Sequence, residues 1–226
     1  MVYVIGIDDA GRGPVLGPMV LAGVIFKDAE EEKLKQAGVK DSKKILPKKR
    51  SEIVKLIKEK CAFYSEQVTP EDIDSGLGVG KNLNQVEAIM AAKIINYLVK
   101  EIPQKEEVSV IIDCPSVNCE AWKAYVETYI DESERARVKI SAEHKADDNH
   151  IVVGAASIIA KTTRDAEMEA IRQKIGINCG SGYASDPTTR KFLETYPEKY
   201  RGQNIIRESW STFKKIQEKT RQKTLF

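Results

Sequence analysis

The chain has 226 residues, 42% of them apolar and 31% charged, with a net charge of +2 at pH 7. That is enough chain for one well-buried core and a small appendage, while no apolar run approaches the roughly 18–20 residues needed to cross a membrane. The N-terminal apolar run lacks a basic leader and already carries acids, so no secretory signal is expected; the four scattered cysteines, Cys61, Cys114, Cys119 and Cys179, lack metal-ligand spacing and read as reduced thiols of a cytoplasmic protein.

In chain order, "VYVIGID" is short, β-branched and interrupted by glycine, which predicts a buried strand. A glycine-rich turn, "AGRGPVLGP", leads into a second strand, "MVLAGVIF". "EEEKLKQAG" predicts a short helix stopped at Gly38, and "KDSKKILPKKRSEIVKLIKEK" a loop that becomes a helix near Pro47, with Ile53, Leu56 and Ile57 on its apolar face. "AFYSEQV" is a third strand, and "TPEDIDSGLGVGKN" reads as a loop. The helix "NLNQVEAIMAAKIINYLVKE" carries Val86, Met90, Ile94 and Leu98 at helical spacing. "VSVIID" is a strand ending on Asp113 and stopped by Pro115; a helix around "EAWKAYVETYI", a strand in "RVKISAEHK" and a long helix from about Val152 to Lys174 follow. The tail from Thr189 is mainly helical and basic. Strands joined by short turns and then alternating with helices predict an α/β domain built on a mixed sheet.

Charge is unevenly spread. Residues 33–60 hold eleven Lys/Arg against three Asp/Glu, and residues 189–226 hold ten against four, so the remainder is acidic. Solvated helix faces produce such swings, and so does a surface that grips a polyanion on either side of an acidic centre.

Asp8 and Asp113 end predicted strands, and Asp147 in "HKADDN" falls between a strand and the long helix. Strand C-termini are where α/β sheets usually hold their chemistry. An isolated acid at such a place is more often a cap or a strand breaker. If the three meet, an all-oxygen set without imidazole or thiol suits a hard ion such as Mg²⁺ or Mn²⁺. The turn "GRGPVLGP" is not a dinucleotide fingerprint, since its spacing differs and a strand follows it.

The motifs "GIDDAGRGPVLGPMV", "VKDSKK", "IIDCPS", "AEHKADD", "AASIIAK", "GSGYASDP" and "RESW", in this order from Gly6 to about Lys215, resemble ribonuclease HII, the type 2 ribonucleases H, and most closely the archaeal branch. The resemblance implies a ribonuclease H-like fold, a five-stranded mixed sheet flanked by helices with a C-terminal helical extension. It implies a catalytic domain over 1–188, the extension over 189–218 and a tail over 219–226. The activity implied is that of a metal-dependent endoribonuclease. It cuts the RNA strand of RNA/DNA hybrids, and cuts 5′ of single ribonucleotides embedded in duplex DNA, leaving 3′-hydroxyl and 5′-phosphate ends. Such chemistry serves ribonucleotide excision in DNA replication and repair.

Position by position, the resemblance assigns catalysis and the binding of two divalent ions to Asp8, Asp9, Asp113 and Asp147. Asp9 departs from the family, which typically has glutamate there; charge is kept but the reach is one methylene shorter. The resemblance also assigns substrate contacts to Gly11, Arg12, Gly13, Lys43, Lys145, Ser157, Lys161 and Tyr183. The Gly11-Arg12-Gly13 turn would approach the 2′-hydroxyl that distinguishes RNA from DNA. Tyr183 would stack on the following deoxyribose. Asp165 and His144 are expected to support the site. The last residues, with Gln222, Leu225 and Phe226, resemble a shortened peptide for the sliding clamp, PCNA. Partners implied are the hybrid or ribonucleotide-containing duplex and the clamp, with no membrane, for a monomer. A competing expectation follows from Asp9: a catalytically weakened module that binds hybrid or clamp.

Overall fold

The computed structural model describes residues 3–39, 47–78 and 80–224. β1 (Tyr3–Ala10), β2 (Met19–Lys27), β3 (Phe63–Val68), β4 (Val108–Asp113) and β5 (Val138–Glu143) form a five-stranded mixed sheet in the order β3-β2-β1-β4-β5. β1 and β4 pair in parallel from Tyr3–Val108 to Ile7–Ile112, and β4 and β5 pair in parallel from Val108–Val138 to Asp113–Glu143. The helices are α1 (Asp28–Gln36), α2 (Pro47–Lys60), α3 (Pro70–Gly78), α4 (Leu83–Leu98), α5 (Cys119–Glu127), α6 (Ala146–Asn149), α7 (Ile151–Ile175), α8 (Pro187–Thr195) and α9 (Ser211–Thr224). All five predicted strands form. Among the described residues no helix is long and apolar enough to cross a membrane.

One expectation needs correcting. "TPEDIDSG", read as loop, forms α3. The Thr69 hydroxyl accepts from the Asp72 N–H while the Asp72 carboxylate accepts from the Thr69 N–H, a reciprocal cap, and Pro70 stands in the first turn. Among the residues of this helix whose burial is described, only Pro70 and Ile73 are buried, so apolar periodicity could not announce it.

By its contacts the chain divides into two compact units: Met1–Ala10, Leu21–Glu66 and Asn84–Thr162 form one, and Gly11–Val20, Gln67–Leu83 and Thr163–Phe226 the other. In the first, two helices lie on opposite faces of the sheet, and glycines set how close they come. A Cβ on Gly6 of β1 would overlap the backbone of Val152 and Val153, so the first turn of α7 rests directly on that strand. A Cβ on Gly23 of β2 would overlap Ile94 and Leu98 of α4, on the face to which Ile7 also points. Alternation along β1 places Gly6 and Asp8 on the α7 face and Ile7 on the α4 face. Ile5, Ile7, Val24, Ile94, Ile95, Val108 and Val153 are among the buried core residues.

The second unit has its own core, in which Leu16, Met168, Phe192, Leu193, Tyr200, Ile206 and Phe213 are buried together. Asp186 caps α8 by accepting from the Thr188 N–H.

Candidate active site

The register that pairs Ile7 with Ile112 carries Asp8 and Asp113 to the next step of two adjacent parallel strands, on the α7 face. Asp8 is only 6% exposed. Its carboxyl is pushed up to about 8, first by burial and then by the charges of Asp9 and Asp113, against the opposing pull of hydrogen bonds from Ser157 and the Asp9 N–H. The Asp9 N–H donates to Asp8 Oδ1 at 2.7 Å. Asp113 Oδ1 accepts from the Ala146 N–H at 2.7 Å, which ties the start of α6 to the end of β4. The next residue is Asp147, buried in α6. The turn into α6 passes through Lys145, exposed and in the left-handed conformation at φ 57°.

Ser157, fully buried on α7, stands between Asp8 and a cation: Lys161 Nζ donates to Ser157 Oγ at 2.6 Å. Gly6 makes this possible, because the contact of α7 with β1 at that glycine sets the depth at which Ser157 meets Asp8. At the β5 end, His150 Nε2 lies 2.9 Å from Glu143 Oε2, and this contact, with that of Ser141, holds the Glu143 carboxyl below its usual range. His144 takes no part among the acids; its ring contacts the Cys119 thiol and the Cys114 carbonyl.

Among the described residues, no three Cys, His, Asp or Glu side chains form a ready metal cage. The donor chemistry nevertheless fits a hard divalent cation. The acids offer only oxygen, and the raised Asp8 carboxyl records a repulsion that a cation would relieve.

The second unit holds the turn that follows these acids in the chain. Gly11 adopts φ +85°, and a Cβ there would overlap the Arg164 side chain. Gly13 is exposed, and a Cβ on it would make ordinary contact, 3.9 Å, with the ring of Tyr183. Tyr183 is 42% exposed, with the Arg164 guanidinium 5.3 Å from its ring centroid. Arg12, half-buried, lies between these glycines, and Asp165 is exposed beside Arg164.

Sequence reasoning missed two arginines that build this surface. Arg207, of the "RESW" stretch, is fully buried and donates to three carbonyls: Gly11 at 2.6 Å, Arg12 at 2.8 Å and Gly17 at 3.0 Å. Trp210 Nε1 adds a bond to the Gly13 carbonyl. Arg164 is buried, donates through Nη2 to the Ser181 carbonyl, and its Nε is buried with no hydrogen-bond partner among the described residues. Burial weakens its hold on the proton, with Tyr183 and Asp165 opposing. The "RESW" motif was the available signal for Arg207, and none marked Arg164; residue type alone marks an arginine as surface. Asp74 of α3 completes the support by accepting from the Glu208 and Ser209 N–H groups. Lys43, Leu225 and Phe226 lie outside the described residues, and Gln222 falls in α9.

A sheet of this order, with carboxylates where β1 and β4 end, is the ribonuclease H type of α/β fold. The ribonuclease HII family model matches residues 5–213. Ribonuclease HII of Thermococcus sibiricus is 45% identical over 216 residues, 95% of this chain and 91% of that one. The crystal structure of ribonuclease H2 from Pyrococcus horikoshii OT3 superposes with a TM-score of 0.82 at 35% identity, covering 97% of this chain and 99% of that one. A structure of the PCNA:RNase HII complex from Archaeoglobus fulgidus gives a TM-score of 0.79 at 37% identity, over 92% of this chain and 95% of that one. The chain belongs to the ribonuclease HII family. It is therefore a nuclease with ribonuclease H activity on RNA/DNA hybrids, and these relatives do not favour a binding module without catalysis.

Proposed function

We propose that the protein cleaves the RNA strand of hybrids and also cuts 5′ of a single ribonucleotide within duplex DNA, leaving a 3′-hydroxyl and a 5′-phosphate. The observation that carries this reading is the buried Asp8, held beside Asp9 and, through the β1–β4 pairing, beside Asp113. In this reading Asp8, Asp9, Asp113 and Asp147 hold two divalent ions, Mg²⁺ or Mn²⁺, which when bound supply charge neutralisation for the pentavalent phosphate and activation of water. Ser157 holds one edge of Asp8, and Lys161 fixes that hydroxyl, so the carboxylate keeps one orientation. Lys43, Lys145 and Lys161 supply positive charge for backbone phosphates.

Recognition falls to the Gly11-Arg12-Gly13 turn and Tyr183. Three carbonyls of the turn region are pinned by Arg207, so the backbone that meets a 2′-hydroxyl is pre-arranged. The half-exposed Tyr183 ring offers a stacking face to the neighbouring sugar. Only Ala10 separates the acids from the turn in the chain. The complex of the Archaeoglobus relative supports a clamp contact, which this reading assigns to Gln222, Leu225 and Phe226. The protein acts as a cytoplasmic monomer in this reading.

The test is cleavage of an RNA/DNA hybrid with Mg²⁺ or Mn²⁺, alongside Asp113→Asn. Wild type cuts the RNA strand only, and Asp113→Asn still binds the hybrid but cuts at least about a hundredfold more slowly. An Asp113→Asn variant as fast as wild type would remove this carboxylate from the mechanism.

A further inference from the structure

Beside the acids lies a group of side chains that the cleavage reaction does not use. Cys114 directly follows Asp113 and is buried, whereas Cys119, the first residue of α5, is partly exposed. Both sulfurs converge on one acceptor, the Ser116 carbonyl, at 3.5 Å from Cys114 and 3.7 Å from Cys119. The two sulfurs therefore lie against the same carbonyl oxygen. His144 Nε2 stands 3.4 Å from Cys119 Sγ, placed to take the thiol proton, while Nδ1 faces the Cys114 carbonyl at 3.3 Å. The other cysteines, Cys61 and Cys179, are buried.

We propose that Cys114 and Cys119 are an oxidisable thiol pair, a modification site at which a peroxide closes a disulfide one residue from Asp113. The accessible Cys119 sulfur attacks one oxygen of hydrogen peroxide as its proton passes to His144. The O–O bond breaks, and the departing hydroxide takes that proton to leave as water, giving Cys119 sulfenic acid. Cys114 sulfur then attacks Cys119 sulfur, the S–O bond breaks, and the second water carries away the Cys114 proton. Two thiols are oxidised by two electrons and one peroxide is reduced to two waters.

Closure draws the two sulfurs from their places around the Ser116 carbonyl to a bond of about 2.05 Å. It also removes the Cys119 thiol from His144. The backbone at Cys114 is held from the other side by its N–H on the Glu143 carbonyl at 2.8 Å, so the strain falls on the end of β4, where Asp113 sits. Displacing a catalytic group by about 1 Å costs on the order of a hundredfold in rate. This consequence, unlike the disulfide itself, rests on Asp113 serving in cleavage.

The test treats the full-length, metal-free protein with hydrogen peroxide, removes the oxidant, alkylates free thiols and maps the peptides. The expected result is one peptide carrying both Cys114 and Cys119, lacking two hydrogens and taking no alkylating reagent, while Cys61 and Cys179 are alkylated. Dithiothreitol restores both thiols. Cys119→Ser forms no such bridge and keeps its cleavage rate through the treatment, whereas oxidised wild type loses at least about tenfold in rate. Alkylation of both Cys114 and Cys119 after peroxide, or a bridge to Cys61 or Cys179, overturns the proposal. A bridge that leaves the rate unchanged overturns its control of Asp113. Failure of untreated protein to cut would count against the proposed function instead, since the peptide map needs no cleavage.

Discussion

Asp8 keeps its proton far above the usual carboxyl value of 3.8 because it is buried beside two other acids. That has a thermodynamic consequence. Between pH 3.8 and about 8 the unfolded chain has released this proton while the folded one still binds it, so folding is progressively penalised as pH rises. Thermal melts of metal-free protein should show Tm contributed by this group falling across that window, and Asp8→Asn should raise Tm at pH 8 while abolishing cleavage. Mg²⁺ should stabilise wild type at pH 8 more than Asp8→Asn. Equal melting of wild type and variant at pH 8 would contradict the burial-and-repulsion account. The residue scale is also where sequence was weakest. Asp8 and Asp113 announce themselves at strand ends, but an arginine in "RDAEME" or "RESW" reads as surface until its burial is seen. Arg207 is the larger case. Arg207→Ala would leave three carbonyls of the glycine turn without their donor, and should cost at least about 3 kcal/mol in denaturant unfolding.

Elements are placed by close approaches that only certain residues permit. Gly6 lets the first turn of α7 rest on β1, which sets Ser157 against Asp8. Gly6→Ala must push helix and strand backbones apart, since both colliding groups are main chain; a loss of about 2–3 kcal/mol is expected by urea denaturation, with reduced activity. Asp186 works at another helix end. Bonds from the Ser181 and Thr188 N–H groups hold its carboxyl down at about 2, so its contribution is present above pH 3.8 and is lost as pH falls toward about 2. Asp186→Ala should cost about 0.5–2 kcal/mol at neutral pH and loosen the loop bearing Tyr183. Strands were legible because short runs rich in β-branched and aromatic residues, too short for a helix, have few alternatives. α3 was not, because its signal lies in the Thr69–Asp72 cap and not in an apolar face.

For the molecule as a whole, the five-strand order could be anticipated only through resemblance, since pairing of β1 with β4 joins residues about a hundred positions apart and no local pattern encodes it. The same holds for Asp8 and Asp113, which come near one another because β1 and β4 are neighbours. The basic stretches at 33–60 and 189–226 make a prediction at this scale: hybrid binding should weaken steeply with salt, its slope set by phosphates neutralised. The central claim is that this chain recognises a ribonucleotide and cuts beside it. A duplex of DNA carrying one ribonucleotide, incubated with the full chain and Mg²⁺ or Mn²⁺ and mapped at nucleotide resolution, tests it most directly. A single cut is expected at the phosphate on the 5′ side of the ribonucleotide, ending in 3′-hydroxyl and 5′-phosphate, with the all-DNA duplex untouched. An intact ribonucleotide duplex with both metals, or equal cutting of the all-DNA duplex, would contradict it.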